Sequence, residues 1–285
     1  MGHEILKAQT SRRWFLGVAS SSLLVACGGG GDSDAALADE ALGKPDVDDQ
    51  KTNLLGTLIG WQLELPINEQ GGLSGKNATL DFPITKGVPG WTNYFVATPK
   101  KLTFKSPVDG ARTDNAGGAR CEVKQAKAYR WNGRRDTLYL RLTQTLQTTP
   151  SGSEPRVVIG QLHDGTDHQV MIKYYGPTNA TGAKGERGRI MAEFNTGVNG
   201  TKVVLDAAYA LGTAMSVTMN CNKGKAKVSY RSAGTPTNTP SYLLNAPDEA
   251  GRCFFKFGAY PQKTGADVNS VSMAQVDVTV AVIGP

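Results

Sequence analysis

Three segments of the chain carry polar side chains at every second position, a spacing that puts those side chains on one face of a β-strand. The segments run from Arg120 to Lys124, from Val157 to His163 and from Phe254 to Gln262. The polar positions are Arg120, Glu122 and Lys124 in the first segment, Gln161 and His163 in the second, and Lys256, Tyr260 and Gln262 in the third. Gly258 leaves space between the polar positions of the third segment.

Cations, amides, a histidine and a tyrosine on neighbouring strands would form a basic groove rich in hydrogen-bonding groups. Such a groove suits a carboxylated sugar chain. A glycoside hydrolase is disfavoured because it needs paired carboxylates at the scissile bond, and only Glu122 lies in these segments, between cations. Each segment alone has a plainer interpretation, since Arg-x-Glu-x-Lys is often a surface ladder of opposite charges. The three segments together carry the functional interpretation.

The rest of the sequence predicts strands to position these residues. Apolar and polar residues alternate from Thr137 to Thr143, from Ala226 to Tyr230 and from Ala274 to Ile283, as in half-buried strands. In the last run we expect four valines to share one face: Val276, Val278, Val280 and Val282. Glycine-containing turn signals separate the runs, and no long helical period occurs. The pattern predicts an all-β sandwich or jelly roll of antiparallel sheets with a concave groove.

The N-terminal 49 residues are predicted to lie outside this fold. Residues 1–27 contain the twin-arginine-like run Ser11 to Leu16 and a short apolar stretch ending in Leu-Val-Ala-Cys27, which resembles a lipobox. The alternative is an ordinary cleaved signal with a chance cysteine. Residues 28–49 form an acidic Gly/Asp-rich linker. We therefore expect export, lipidation at Cys27, and a catalytic domain over residues 50–285, either anchored to the cell envelope or secreted.

The charge distribution points to a polyanionic partner. The chain has a net charge of +6 although its linker is acidic, so the domain after the linker is strongly basic. Export favours an anionic polysaccharide over nucleic acid, and general basicity remains the plain alternative. We expect a monomer that touches the membrane only through the lipid at Cys27.

The cysteines and histidines give no sign of a metal site. Cys121, Cys221 and Cys253 would enter an oxidising compartment, where they permit one disulfide and a spare thiol in any of three pairings. No metal-ligand spacing occurs among them, and we expect neither metal nor cofactor.

The three segments, in this order, resemble the motifs of polysaccharide lyase family 7, the jelly-roll alginate lyases. That family carries Arg-Ser/Thr-Glu-Leu/Val-Arg, then Gln-Ile/Val-His, then Tyr-Phe-Lys-Ala-Gly-x-Tyr-x-Gln. Two further segments, Gly60 to Pro66 and Leu102 to Pro107, resemble other strands of the family, so the likeness extends from Leu55 to Val282. The chain departs from the family's motifs at Cys121, Lys124, Phe254 and Ala259.

The resemblance implies a β-jelly roll that cleaves a 4-linked uronate polymer, alginate, by β-elimination. It implies that Arg120, Gln161 and His163 surround the substrate carboxylate and that Tyr260 protonates the leaving oxygen O4. Tyr260 would also take the C5 proton of mannuronate, and His163 that of guluronate. The implied substrate-binding residues are Glu122, Lys124, Lys256 and Gln262, with Glu122 orienting the cations.

Two other functions remain open from the sequence. The same motifs would serve a lyase of another polyuronate such as glucuronan, and the scaffold could be a non-catalytic carbohydrate-binding lipoprotein. His163 and Tyr260 argue against pure binding, which needs neither a base nor a proton donor. We interpret the nearby His168 as part of an exposed loop or the following strand. The size of Leu162, between Gln161 and His163, slightly favours guluronate blocks.

Overall fold

The computed structural model describes residues 54–113, 117–233, 236–245, 252–262 and 273–285. The expected export signal and linker lie outside the described residues. No helix within the described ranges is long and apolar enough to cross a membrane.

The described chain is built almost entirely of strands, as the alternating sequence pattern predicts. One four-residue helix, α1 (Leu54–Thr57), and two 3-10 turns, Trp91–Asn93 and Lys127–Tyr129, are its helical segments. The strands are β1 (Trp61–Glu64), β2 (Thr79–Asp81), β3 (Phe95–Thr98), β4 (Lys101–Ser106), β5 (Cys121–Gln125), β6 (Thr137–Thr148), β7 (Arg156–His163), β8 (His168–Tyr175), β9 (Arg187–Phe194), β10 (Thr201–Ala210), β11 (Ala214–Asn222), β12 (Lys225–Arg231), β13 (Thr237–Asn238), β14 (Tyr242–Leu243), β15 (Phe254–Gln262) and β16 (Ala274–Gly284).

The strands form two antiparallel sheets. The first sheet has the order β10-β9-β8-β7-β15-β5-β1-β2. The second has the order β13-β12-β11-β6-β16-β4-β3, with β14 paired to β12. Strands far apart in sequence are therefore neighbours, as in a jelly roll, and the expected all-β sandwich of two antiparallel sheets is confirmed.

The core consists of the inward-facing residues of both sheets. On β15, Phe255, Phe257 and Ala259 are fully buried in one apolar cluster with Phe104 of the second sheet. Ring centroids of Phe104 and Phe257 lie 5.8 Å apart in an edge-to-face arrangement. Because side chains alternate along a strand, this inward set forces the other set of β15 onto the outer face of the first sheet.

The expectation that four valines of β16 share one face holds for only two of them. Val276 and Val278 are fully buried in the core, but the pairing of β16 with β6 shifts register between Val278 and Val280. A bulge inserts an extra residue and reverses which side chains face inward. Ala281 therefore enters the core, while Val280 is only partly buried.

The three domain cysteines are buried thiols in this structure. The Cys121 thiol points into the sandwich and donates to the carbonyl oxygen of Tyr94, with an S···O distance of 3.3 Å. Burial raises the pKa of Cys121, and it raises the pKa of Cys221 to about 12. Both groups therefore stay protonated and unreactive near neutral pH.

Candidate active site

The three polar segments become neighbours because β15 lies between β7 and β5. Lys256 pairs with Gln161 on one side and with Lys124 on the other. Phe254 pairs with His163, and Gly258 with Glu122. The polar faces inferred from strand alternation thus join into one surface on the outer side of the first sheet.

A cleft of about 490 Å³ lies over this surface. Its walls include seven of the eight residues predicted as catalytic or substrate-binding: Arg120, Lys124, Gln161, His163, Lys256, Tyr260 and Gln262. The eighth, Glu122, is fully buried and is not part of the cleft wall.

Two buried carboxylates hold the polar groups of the cleft in place. Glu122 Oε1 accepts a hydrogen bond from Gln161 Nε2 at 2.7 Å, and its Oε2 lies 3.4 Å from both Lys256 Nζ and Arg120 Nη1. Glu64 Oε1 accepts from Lys124 Nζ at 2.8 Å, and Glu64 Oε2 lies 2.7 Å from Lys256 Nζ. The carboxylates fix the positions of the donors because every long side chain in the group is held at its charged end.

The electrostatics of this network keep Glu64 and Arg120 charged. Burial alone would raise the pKa of Glu64, but the charges of Lys256, Lys124 and Arg120 hold it well below its usual range. Burial opposes the charge on Arg120, yet Glu122 and Glu64 raise the pKa of that guanidinium. The cleft therefore presents fixed positive charge at neutral pH.

Tyr260 lines the cleft at the edge of the cationic group. The Arg120 guanidinium carbon stands 4.1 Å from the centre of the Tyr260 ring, a cation–π contact. The hydroxyl oxygen accepts a hydrogen bond from the backbone N–H of Gly117 at 3.2 Å. The ring packs on Val158 and Met171 in a small apolar cluster apart from the core. The proton of the hydroxyl remains available for a ligand because the backbone contact uses only the oxygen lone pair.

His163 is neutral and has a defined tautomer. Burial, together with the nearby charge of Lys256, lowers the pKa of His163 to about 4. Its Nδ1 accepts a hydrogen bond from the backbone N–H of Gly165 at 3.1 Å. A backbone N–H can only donate, so the proton of the neutral ring is carried on Nε2. His163 can thus donate a hydrogen bond through Nε2 to an anion in the cleft.

A tight β7–β8 turn fixes the orientation of His163. Asp164 Oδ1 accepts from the backbone N–H groups of Thr166 and Asp167 at 3.0 and 2.8 Å, and its Oδ2 accepts from Gln169 Nε2 at 2.8 Å. The His163 ring stacks on Phe254 with centroids 5.2 Å apart. His168 begins the following strand, paired with His163, as the sequence suggested for it.

Gly258 is required by the backbone of the neighbouring strand. Its φ is +145°, and a Cβ at this position would lie 2.4 Å from the carbonyl oxygen of Cys121. The register of β15 against β7 also shifts between Phe257 and Tyr260. The glycine therefore permits a close approach of β15 to β5, which is a firmer reason for it than the space for substrate inferred from the sequence.

Sequence reasoning missed three charged residues of the cleft wall: Glu64, Arg130, and Asp167 of the β7–β8 turn. Glu64 follows the same alternation as the predicted positions, on β1, so its signal was present. Arg130 lacks such a signal because it lies just after a 3-10 turn. The β-bridge between the next residue, Trp131, and Cys253 positions Arg130. The Arg130 guanidinium carbon stands 4.3 Å from the centre of the Phe254 ring.

No group of three or more metal-ligating side chains comes together within the described ranges. The charged groups of the cleft are mostly cations, which suit an anionic ligand better than a metal ion. The arrangement can bind a carboxylate, donate hydrogen bonds to it, and offer one phenol for proton transfer.

Comparisons with known proteins agree with this geometry. The sequence profile of a family described as "Alginate lyase" matches residues 57–280. No curated protein matches the chain in sequence.

Solved structures share the fold at low identity. The alginate lyase from Klebsiella pneumoniae has a TM-score of 0.67 at 16% identity, over 80% of this chain and 95% of that one. A marine alginate lyase from Zobellia galactanivorans has a TM-score of 0.62 at 17% identity, over 82% and 98%. The alginate lyase from Corynebacterium sp. has a TM-score of 0.60 at 20% identity, over 80% and 95%.

The family profile covers nearly all of the folded domain, and the fold agrees with it. The chain belongs to the alginate lyase family and is a jelly-roll polysaccharide lyase.

Proposed function

We propose that this protein cleaves alginate by β-elimination in the cleft on the outer face of its first sheet. The observation that carries the proposal is the convergence of Arg120, Gln161, His163 and Tyr260 on that cleft. Glu122, beneath the cleft, holds Gln161 and Arg120 through the contacts described above. The family match over residues 57–280 supports the reaction class and the substrate.

The first task of the cleft is to neutralise the uronate carboxylate. The C5 proton is weakly acidic, and stabilising charge on the adjacent carboxylate makes its removal easier. Arg120 supplies positive charge, and His163 supplies the Nε2 hydrogen. The Gln161 amide has two N–H groups, of which one donates to Glu122 and the other is available to the sugar.

The second task is proton transfer between C5 and O4. The base takes the C5 proton, the C5 electrons form the C4–C5 double bond, and the C4–O4 bond breaks as O4 receives a proton. We assign the donor role to Tyr260, which lines the cleft.

The tautomer of His163 favours Tyr260 as the base too. His163 Nδ1 already accepts from Gly165, and Nε2 carries the proton, so neither nitrogen is free to accept one. To act as base and acid, Tyr260 must enter the step as a phenolate, whose oxygen takes the C5 proton and passes it to O4. This requires the C5 proton and O4 on the same side of the ring, as in mannuronate. The geometry therefore favours mannuronate blocks, the opposite direction to the slight preference suggested by the size of Leu162. The Leu162 side chain packs in the core, away from the cleft.

The proposal is tested by the products of the soluble domain. Polymannuronate, polyguluronate, mixed alginate and glucuronan are each incubated with it, and the ultraviolet absorbance of the new conjugated double bond is followed. We expect unsaturated oligouronides from alginate, with a higher kcat/KM on polymannuronate. Saturated products, or none from any alginate, would overturn the proposal, and turnover of glucuronan alone would redirect it to that polymer.

His163 should become charged, and activity that needs the neutral ring should fall, only at unusually low pH. The folded pKa of His163, about 4, is below its ordinary value of 6.5, so the ring stays neutral until the pH falls towards 4. Between pH 6.5 and 4 the unfolded chain binds this proton first, so the same residue lowers stability in that window as pH falls. We expect kcat/KM on polymannuronate to show no decline with an apparent pKa near 6.5. A midpoint near 6.5 that disappears in His163→Gln would contradict the neutral histidine.

We further propose that the protein is exported and lipid-anchored at Cys27. The supporting features are Arg12 and Arg13 before an apolar stretch and the small residues preceding Cys27. The acidic tether that follows would hold a basic enzyme near its polymer.

Changing Cys27 to Ser should move the protein from the membrane fraction to the soluble fraction, because the acyl chains attach to the thiol. Fractionation followed by immunoblotting of the Cys27→Ser and wild-type proteins measures this. A Cys27→Ser protein that remains with the membranes would contradict the anchor. As a control, Ser33→Ala in the linker should leave the distribution unchanged.

A further inference from the structure

A second basic depression lies on the same outer face, three strands away from the catalytic strand. The register of the sheet connects the two: Gln262 on β15 pairs with Arg156, which pairs with Tyr175, which pairs with Arg189 on β9. At about 4.8 Å per strand, Arg189 stands about 14 Å from Gln262. The row thus leads from the catalytic cleft to the depression.

Small residues line part of this depression. It has a volume of about 310 Å³, and its lining includes the exposed Ala207 and Ala208 of β10. Gly188 of β9 serves the packing beneath: a Cβ there would lie 2.5 Å from the core ring of Tyr174 and 2.4 Å from the carbonyl oxygen of Tyr175. The glycine therefore lets β9 pack closely against β8 under the depression.

The rim of the depression carries two arginines that lie outside the core. Arg187 and Arg189 are exposed and lie two residues apart on one face of β9. Neither forms an ion pair within the described residues. The inward residues of β9, among them Ile190 and Ala192, belong to the core, so the two arginines are excluded from it by strand alternation.

A third arginine, Arg156, lies on β7, two strands from Arg189 along the row described above. The Arg156 guanidinium carbon stands 5.1 Å from the centre of the Tyr175 ring. The Tyr175 hydroxyl donates to Glu193 Oε1, and Lys173 Nζ lies 2.8 Å from Glu193 Oε2. Glu193 is thus neutralised by its own partners and does not cancel the arginines. Glu154 is the one acidic residue in the lining of the depression.

We propose that Arg156, Arg187 and Arg189 form a distal subsite for the carboxylates of the same polyuronate chain, several sugar units from the bond that is cleaved. The inference rests on the proposed function in the cleft and adds to it a second point of attachment. Spaced guanidinium groups match a polymer with one carboxylate on each ring, since guanidinium pairs well with carboxylate. A chain bound at both places must cross the sheet from β15 to β9.

The test removes the two exposed arginines together, as Arg187→Gln/Arg189→Gln. The expected result is a KM for polymannuronate raised about fivefold at low salt, the size expected for two exposed charge pairs, with kcat unchanged. A mannuronate trimer cannot span the scissile bond and the distal arginines at once, so its KM should change far less than that of the polymer. The difference on the polymer should shrink as salt is added.

A matched control removes two cations from the other sheet. Lys225 and Arg231 are exposed on β12, and Lys225→Gln/Arg231→Gln changes the net charge equally. This control should leave the KM for polymannuronate unaltered. An equal rise in both double variants would show a general charge effect and overturn the subsite.

Binding separates this inference from the catalytic proposal. Calorimetry measures the affinity of polymannuronate for Tyr260→Phe protein with and without the Arg187→Gln/Arg189→Gln changes, and it needs no turnover. About fivefold weaker binding without the arginines supports the subsite even if the cleft chemistry is assigned wrongly. Equal affinity overturns the subsite, whatever the activity of the wild-type enzyme.

Discussion

Tyr260→Phe is expected to fold normally and to lose about 10³-fold in kcat on alginate, within the range for removing a positioned acid or base. The change deletes one hydroxyl and keeps the ring on Val158 and Met171 and beneath the Arg120 guanidinium. It removes the phenol that we propose passes a proton to O4. Because the cations that bind the carboxylate remain, KM should change far less than kcat. Initial rates of double-bond formation measure both constants.

The control for this prediction is a tyrosine of the core. Tyr174 is fully buried and its hydroxyl has no hydrogen-bond partner among the described residues. Tyr174→Phe should therefore retain kcat. If folded Tyr260→Phe keeps a kcat near that of the wild type, Tyr260 is neither the acid nor the base of the reaction.

Glu122→Gln is expected to damage both stability and activity. The carboxylate is fully buried among Gln161, Lys256 and Arg120. The amide that replaces it turns an acceptor into a donor beside other donors and leaves two buried cations with less negative charge. Removing one partner of a buried ionic group costs about 3 kcal/mol in the free energy of unfolding. Displaced donors should lower kcat/KM about 10²-fold, the cost of misplacing binding groups by about 1 Å.

Asp277→Asn is a matched control on the opposite sheet. Asp277 is also a buried carboxylate, accepting from Thr103 Oγ1 at 2.8 Å and from Gln147 Nε2 at 3.1 Å. Its loss should lower the free energy of unfolding in urea without altering kcat/KM of the folded fraction. Should Glu122→Gln lose stability yet keep full kcat/KM, Glu122 would be a structural group that does not position the cleft residues.

The alternation of polar and apolar residues at every second position was sufficient to predict the class of fold. Runs such as Thr137 to Thr143 became strands because an alternating side-chain pattern can bury one face only in a sheet. The same rule placed Lys256, Tyr260 and Gln262 on one face, and all three line the cleft. It failed at β16, because a bulge depends on how two strands meet and not on the pattern of either one.

The local sequence also indicated which side chains could take part in the reaction. A histidine, a tyrosine, an amide and several cations in family-like motifs indicated a uronate lyase before any contact was known. The family match and the fold agree with that class. The roles of the individual residues remain predictions for the experiments above.

Only the tertiary structure decided which side chains lie together in the cleft and which protonation states they adopt. Strand order placed β15 between β7 and β5, although these strands are far apart in the chain. It brought Glu64 and Arg130 to the cleft and put Glu122 beneath it. The neutral state of His163 and its Nε2 proton depend on burial, on Lys256 and on the backbone N–H of Gly165. Sequence fixes the side chains available, but a pKa and a hydrogen-bond direction depend on neighbours that only folding supplies.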